Sequence, residues 1–397
     1  MRILLISHGF PRHPDDPAYG FLLGLARGQQ ALGHELLVVA PHAPGVPETD
    51  TVAGVRVARY RYGTDAAETL AYVGTMHEQV LRSWPARWRL ARFLAAQRLA
   101  AHRAVSAFRP DVINVHWWFP GGLAVWPLGR RGRPLVLTSH GTDLFLLDRF
   151  RAARALAAPI FRSAAEVTVI SSPLVERIAA LGVDRRRVTV VPMPLDAHVF
   201  GAPPDARRDP GLLLFVGRLI ERKGAEFALR ALALLLGEGR QLELAIAGAG
   251  PEQPELERLA LTLGLGSRLR FLGAVPAEEV ARLYARSAVF LMPAVTDWKG
   301  EQEGFGMVLV EAMRCGAPIV ASRSGGIPDV VRDGATGLLV PERDPAALAG
   351  ATARLLDDPA LAARLADAAR EDVDARFAPA AIARTFDAVY RRAVGPR

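Results

Sequence analysis

The sequence predicts an α/β protein of two tandem Rossmann-like domains, each a parallel sheet covered by helices on both faces. Three observations carry this prediction. Short apolar runs alternate with helical stretches along the chain, as strands buried on both faces require. Glycine-rich turns follow several of these runs. The rhythm stops at the polar segment Gly201–Pro210 (GAPPDARRDP) and then restarts, which marks a linker. A chain of 397 residues suits two domains of about 100–200 residues each.

In the first half, Arg2–Ser7 reads as a buried strand, Phe21–Leu32 as a helix ended by Gly33, and Leu36–Ala40 as the next strand. Further strands are expected at Val112–Val115, Pro134–Thr138, Val167–Ile170 and Val188–Val191. After the linker the order is strand Leu212–Val216, helix Ala225–Leu236, strand Leu242–Ala247, helix Glu255–Leu263 and strand Leu269–Leu272. Helix Ala277–Ala285, strand Val289–Met292, helix Val308–Cys315 and strand Ile319–Ala321 follow, and roughly the last 55 residues are mostly helical and rich in Ala, Leu and Arg. The domains are therefore placed at 1–200 and from 201 onward.

Composition narrows the function. Half the residues are hydrophobic and 23% are charged, which excludes a disordered chain. The single cysteine, Cys315, permits no disulfide within the chain and fits a reducing cytoplasm. The apolar run in Met1–Phe10 is too short for a signal peptide and is interrupted by His8. No stretch approaches about 18 uninterrupted apolar residues, so no membrane-spanning helix is expected. The expected place of work is the cytoplasm, in water or on a membrane surface. A formal charge of +8 suits anionic partners such as nucleotides or lipid headgroups. Nucleic acid is not an expected partner, because the basic residues are spread and no nucleic-acid module is present.

Ligands of open parallel sheets bind beyond the carboxyl ends of the strands, so a substrate cleft between two such domains is expected. A dinucleotide fingerprint is missing, since Gln253 stands where Gly248-Ala-Gly250 would need its third glycine. No cofactor is expected. Gly217-Arg218-Leu-Ile-Glu-Arg-Lys223-Gly224 follows a strand. Two cations beside a helix N-terminus form an anion site; two solvated basic residues in a turn are the competing reading.

Glu303-Gly-Phe305-Gly306-Met307-Val-Leu-Val-Glu311 spaces two glutamates eight residues apart. On one helix that is about 12 Å, too far for a retaining-hydrolase carboxylate pair at about 5–5.5 Å. The glutamates must divide their labour. The glycines place Glu303 on a loop, Glu311 inside a helix, and the amides between them toward an oxygen-rich ligand.

Thr138-Ser-His140-Gly141-Thr-Asp143 follows a strand of the first half, so His140 can reach a cleft or serve as a structural histidine. Trp117-Trp118 in Asn114–Gly122 offer flat faces for sugar or lipid, with at least one of them expected in the core. The loop from Ser7-His8-Gly9-Phe10-Pro11 to Tyr19-Gly20 leads into the first helix and admits a phosphate near its backbone amides. Arg82–Arg109 combines seven arginines with Trp84, Trp88 and Phe93. It reads either as an ordinary surface helix or as one that contacts an anionic membrane.

Together these residues resemble glycosyltransferase family 4, retaining enzymes of the GT-B fold. The resemblance spans essentially the whole chain. Gly-Arg-x4-Lys-Gly and Glu-Gly-Phe-Gly-x4-Glu carry it most strongly, followed by Gly316-Ala-Pro318-Ile-Val-Ala-Ser and Gly325-Gly326-Ile-Pro328. Phe10-Pro11 with Gly20, and Gly33-His34-Glu35, look like the acceptor-side half. The chain departs from the family at Pro192-Met193-Pro194-Leu195-Asp196, where many relatives carry Asn-Gly-Val-Asp and only the Asp matches.

The resemblance implies a GT-B architecture of two Rossmann-like domains facing a central cleft. It implies an acceptor-side domain at 1–200, a donor domain at 201–375 and a C-terminal helix at 376–397 returning to the first. Arg218 and Lys223 would bind the diphosphate of a nucleotide-sugar donor. Glu311 would hold the ribose, and Glu303 would contact the donor sugar. Amides of Phe305, Gly306 and Met307 would hold sugar and phosphate oxygens, His140 would lie beside the transferred sugar, and Gly20 near the diphosphate. The partners are then a UDP- or GDP-sugar and a hydroxyl acceptor that is a glycan, lipid-linked or small molecule. No metal is implied, and no Asp-x-Asp ligand pair stands out. A sugar-nucleotide 2-epimerase and a non-catalytic nucleotide-sugar-binding protein remain the alternatives.

Overall fold

Buried aliphatic strands build two parallel sheets, and the chain divides into two units around them: Met1–Pro194 with Pro379–Arg397, and Leu195–Ala378. The computed structural model describes the chain except residues 17, 73–75, 77–78, 81–82, 130–131, 196–199, 202–206 and 396–397, together with the side chains of 145, 146, 148 and 149. Asp196, Arg82 and the middle of the expected linker therefore lie outside the described residues.

The first unit has β1 (Arg2–Ile6), β2 (Glu35–Pro41), β3 (Thr49–Val52), β4 (Val55–Tyr60), β5 (Val112–His116), β6 (Leu135–Ser139), β7 (Glu166–Val169) and β8 (Val188–Val190). Among the described residues their order is β3-β4-β2-β1-β5-β6-β7-β8. Pairing is parallel throughout except for β3 with β4. β1, β5, β6 and β7 are almost entirely buried, hence their unbroken apolar character. The β3–β4 hairpin was not expected. Its two-residue turn, Ala53-Gly54, has positive φ at both positions (46° and 85°), but an alanine in the first place hides the usual Asn-Gly signal.

Helix Pro379–Val394 closes this unit by burying Ile382, Phe386, Val389 and Tyr390 against the β1–β5 core, each worth about 1.5–3 kcal/mol relative to exposure. Its Tyr390 hydroxyl accepts a hydrogen bond from Asn114 Nδ2 at 2.7 Å. The chain of polar contacts continues through Thr138 Oγ1 to Asn114 Oδ1 (2.9 Å) and Thr168 Oγ1 to Thr138 Oγ1 (2.8 Å).

The second unit has β9 (Asp209–Val216), β10 (Glu243–Ala247), β11 (Leu269–Gly273), β12 (Ser287–Met292), β13 (Ile319–Ser322) and β14 (Leu338–Val340). Their order is β11-β10-β9-β12-β13-β14, all parallel. Asp209 and Pro210, expected in the linker, begin β9 instead. Helices Ala225–Gly237 and Pro345–Asp357 cover one face with Leu229, Leu232, Leu235, Leu348 and Leu355. Among the described residues no helix is long and apolar enough to cross a membrane.

Tyr390→Phe leaves the buried Asn114 amide without its acceptor, an unmet group that costs about 1–3 kcal/mol. A lower melting temperature is expected by calorimetry, with unaltered nucleotide binding. An unchanged melting temperature would show that the Asn114–Tyr390 contact contributes nothing.

Candidate active site

Strand order decides where each unit can bind. In the second unit the order reverses at β9, with β10 on one side and β12 on the other. The crevice beyond their carboxyl ends is the place for a ligand. The loop leaving β9 carries Arg218 and Lys223, and the loop leaving β12 carries Glu303. Gly248 holds the first of these loops close to its neighbour: a Cβ there would lie 1.8 Å from the Gly217 carbonyl oxygen. Leu219 N–H donates to the Ala249 carbonyl at 3.0 Å. The Gly248-Ala-Gly250 motif is thus explained by close packing of two loops.

Glu221–Lys223 form a 3₁₀ turn, Gly224 takes φ 69°, and the helix at Ala225 begins without a side-chain cap. Lys223 Nζ donates to Glu303 Oε2 at 2.6 Å, with side chains only 14% and 11% exposed. Burial raises the Glu303 carboxyl, but the charge and hydrogen bond of Lys223, the charge of Arg222 and the Phe305 backbone outweigh it and hold the group below its usual range. Glu303 is therefore ionised. Arg222, not singled out from the sequence, pairs with Glu301 at 2.8 Å. Arg218 is exposed and forms no ion pair among the described residues.

Beyond Glu303 the chain turns through Gly306 (φ 90°) into helix Met307–Arg314, which also starts without a side-chain cap. Leu309 N–H donates to the Gly306 carbonyl at 2.9 Å, and the N–H groups before it are left to other acceptors. The Phe305 ring is buried against Phe377, with centroids 5.8 Å apart, and its backbone bonds the Glu303 carboxyl. The Glu303 carbonyl accepts from Gly326 N–H at 2.9 Å, and a Cβ on Gly325 (φ 50°) would come within 2.1 Å of that carbonyl. Gly325-Gly326 thereby set the position of the Glu303 loop.

Glu311 lies one turn into the helix. Burial pushes its carboxyl up to about 7, against the Tyr284 hydrogen bond and the Lys223 charge. The Tyr284 hydroxyl donates to Glu311 Oε2 at 3.3 Å. Tyr284 was not singled out from the sequence, and the regular apolar face of its helix gives it no distinguishing signal there.

In the first unit the order reverses between β1 and β5. His8 follows β1, Trp117 follows His116 at the end of β5, and His140 follows β6. These residues form one aromatic cluster. The Trp117 ring lies 4.1 Å from His140 and 4.3 Å from His8, while Trp118 is buried in the core. His116 Nδ1 and His140 Nε2 are 2.9 Å apart and share one hydrogen bond. Burial lowers His8 to about 4 and His116 to about 3. Burial, with the charges of His116 and His8, takes His140 well below its ordinary value. The three rings are neutral at physiological pH. His8 Nδ1, His116 Nε2 and His140 Nδ1 are buried without hydrogen-bond partners.

Asp143 positions this group. It accepts from Ser139 Oγ at 2.7 Å and from the backbone of His140 and Trp118, each at 3.2 Å. Gly20 opens helix Gly20–Ala31 behind Tyr19, a left-handed residue with no capping side chain. A Cβ on Gly20 would meet nothing within 4 Å, so packing does not demand glycine there. From the sequence, His8 was only part of the loop before the first helix and His116 only a position within Asn114–Gly122; their meeting with His140 depends on strand order.

Among the described residues, His42, Asp65 and Glu68 have the spacing of a cation site. Their atoms are already engaged: Glu68 bonds His42 Nδ1 at 2.6 Å and the Tyr62 backbone at 2.9 Å, and Arg61 binds Asp65.

Two doubly wound units, one of them with a largely buried Lys223–Glu303 pair and uncapped helix starts at its switch point, have the make-up of the GT-B fold. Comparisons with known proteins agree. Residues 202–372 match the family described as glycosyl transferases group 1, and residues 21–199 match glycosyltransferase family 4. The chain is 32% identical to a GDP-mannose-dependent alpha-(1-6)-phosphatidylinositol monomannoside mannosyltransferase of Mycolicibacterium smegmatis, over 93% of this chain and 92% of that one. It is 36% identical to a D-inositol 3-phosphate glycosyltransferase of Frankia alni, over 72% and 75%. Among solved structures it resembles sucrose-phosphate synthase from Thermosynechococcus elongatus, with a TM-score of 0.74, 26% identity and 98% of both chains covered. The chain belongs to glycosyltransferase family 4 and is a glycosyltransferase that uses nucleotide sugars.

Glu311 gives the second unit a pH signature. Its folded carboxyl sits near 7 against an ordinary 4.5, so folding favours the protonated form. That stabilisation is complete below about pH 4.5 and is lost as pH rises through about 7. Glu311→Gln is therefore expected to gain melting temperature relative to the parent between about pH 5 and about pH 8. Parallel pH profiles would contradict the buried carboxyl.

Proposed function

We propose that the chain is a retaining hexosyltransferase, moving a hexose from a UDP- or GDP-sugar to a hydroxyl of a glycan, lipid-linked or small-molecule acceptor. The observation that carries this reading is the largely buried Lys223 beside Glu303, next to an uncapped helix start at the β9–β12 switch point. An ammonium has three donors, and Glu303 uses one, which leaves two for phosphate oxygens. Arg218, exposed at the end of β9, supplies a second cation for the diphosphate. Glu311 serves the ribose hydroxyls, Glu303 the donor sugar, and the amides of Phe305, Gly306 and Met307 the remaining oxygens. Gly20 leaves room for a phosphate oxygen at the helix start of the first unit.

In the reaction the bond between the anomeric carbon and the phosphate oxygen breaks, and negative charge grows on the departing nucleotide diphosphate. Lys223, Arg218 and the helix start stabilise that charge. The acceptor oxygen bonds to the anomeric carbon on the same face, and its proton passes to the departing phosphate. His140, neutral and fixed by Asp143 and His116, lies beside the transferred sugar and can only donate or accept a hydrogen bond. The name of the mycobacterial relative makes GDP-mannose the first donor to test and a phosphoinositide glycolipid the first lipid-linked acceptor. The place of work is the cytoplasm, with peripheral contact at the inner face of the membrane.

A screen of nucleotide sugars by thermal stabilisation, followed by assay of nucleotide release with and without acceptor, tests the reading. Acceptor-dependent release supports transfer; release without acceptor dependence, or binding without release, speaks for the epimerase or the binding protein. Arg218→Ala and Lys223→Ala are each expected to lower turnover by about 100-fold or more. Near-parental turnover in either variant would remove the diphosphate assignment.

A further inference from the structure

Helix Trp84–Phe108 has two apolar faces, and the fold uses only one. The inner face buries Ala86, Phe93, Gln97, Ala101, Ala104 and Phe108. At about 100° per residue, Trp84, Trp88, Ala91, Ala95 and Leu99 fall together on the opposite side, and all five are exposed. Trp84 is 71% exposed, Trp88 69% and Leu99 51%. Such a stripe contributes nothing to the core, and large exposed aromatics mark an interaction surface.

Charge defines the partner. Arg87 and Arg98 lie along one flank of the stripe, and Arg92 and Arg103 along the other, all exposed. The helix contains no Asp or Glu, and Arg92, Arg98 and Arg103 form no ion pair among the described residues. The Arg87 guanidinium stands 5.1 Å from the centre of the Trp84 ring. An apolar stripe with tryptophans, edged on both sides by arginines, suits a helix lying in a lipid interface: the rings enter the headgroup layer and the guanidiniums meet phosphates. A second copy of the chain would bring arginines against arginines. Nucleic acid would use the charge but give no reason for an aliphatic stripe ending at Leu99.

We propose that this outer face docks the first unit onto an anionic phospholipid bilayer, with Trp84 and Trp88 as anchors. The proposal rests on the membrane-surface part of the function proposed above and assigns it a surface, independently of donor chemistry.

The test is co-sedimentation of the full chain with vesicles of phosphatidylcholine alone, or with roughly 30% phosphatidylglycerol, alongside tryptophan emission. Binding is expected only to the anionic vesicles, with a blue shift in emission and weakening by salt. Trp84→Ala/Trp88→Ala is expected to bind at least about tenfold more weakly, with unchanged melting temperature and unchanged donor turnover on a soluble acceptor. Absence of binding to anionic vesicles, equal binding to neutral ones, or undiminished binding by the double variant would overturn the proposal. So would concentration-dependent dimerisation, or preferential nucleic-acid binding, that the double variant abolishes. Vesicle binding without any glycosyl transfer would instead refute the enzymatic reading and leave the docking surface standing.

Discussion

The ion pair between Lys223 and Glu303 organises the second unit's site. It links the loop leaving β9 to the loop leaving β12, the two strands between which the sheet order reverses. Neither group would remain charged and so little exposed alone, because desolvation of an isolated ion far exceeds what packing returns. Their pairing at 2.6 Å keeps Glu303 ionised and leaves donors of Lys223 free. Glu311, farther along the helix, feels the same lysine but lacks a direct cationic partner, and burial raises it to about 7. Two glutamates eight residues apart are thus shifted in opposite directions, because one lysine lies against only one of them.

The first unit has the opposite electrostatics. His8, His116 and His140 are buried and neutral, burial being the first cause for each. They offer hydrogen bonds and ring faces, with Trp117 lying 4.1 Å from His140, and no fixed charge. The proposed division of labour follows from this contrast: hydrogen bonds and ring faces suit a sugar, whereas cations and helix-terminal amides suit a diphosphate.

Much of this was legible in the sequence because buried parallel strands are apolar without interruption. β1, β5 and β10 were placed to within a residue on that ground, and β9 and β12 at their carboxyl ends, although these two begin earlier, at Asp209 and Ser287. The β3–β4 hairpin escaped because its turn relies on Ala53, and β14 because three residues carry too little pattern. The flanking glycines separated the glutamates, with Glu303 on a loop and Glu311 within the helix, as they are in the structure. Partnerships across strands were not legible. Nothing local to Lys223 points to Glu303, nothing in Gly325-Gly326 names the Glu303 carbonyl, and the meeting of His8, His116 and His140 follows from strand order alone. The outer stripe of helix Trp84–Phe108 was visible as composition, but only burial separated it from the core-facing side.

The central claim is that Lys223 is held for a diphosphate. Titration calorimetry of a nucleoside diphosphate and its monophosphate against the parent and Lys223→Met tests it most directly. The account predicts that the parent prefers the diphosphate by roughly tenfold or more and that the preference collapses in Lys223→Met. A preference that survives the substitution intact would contradict it.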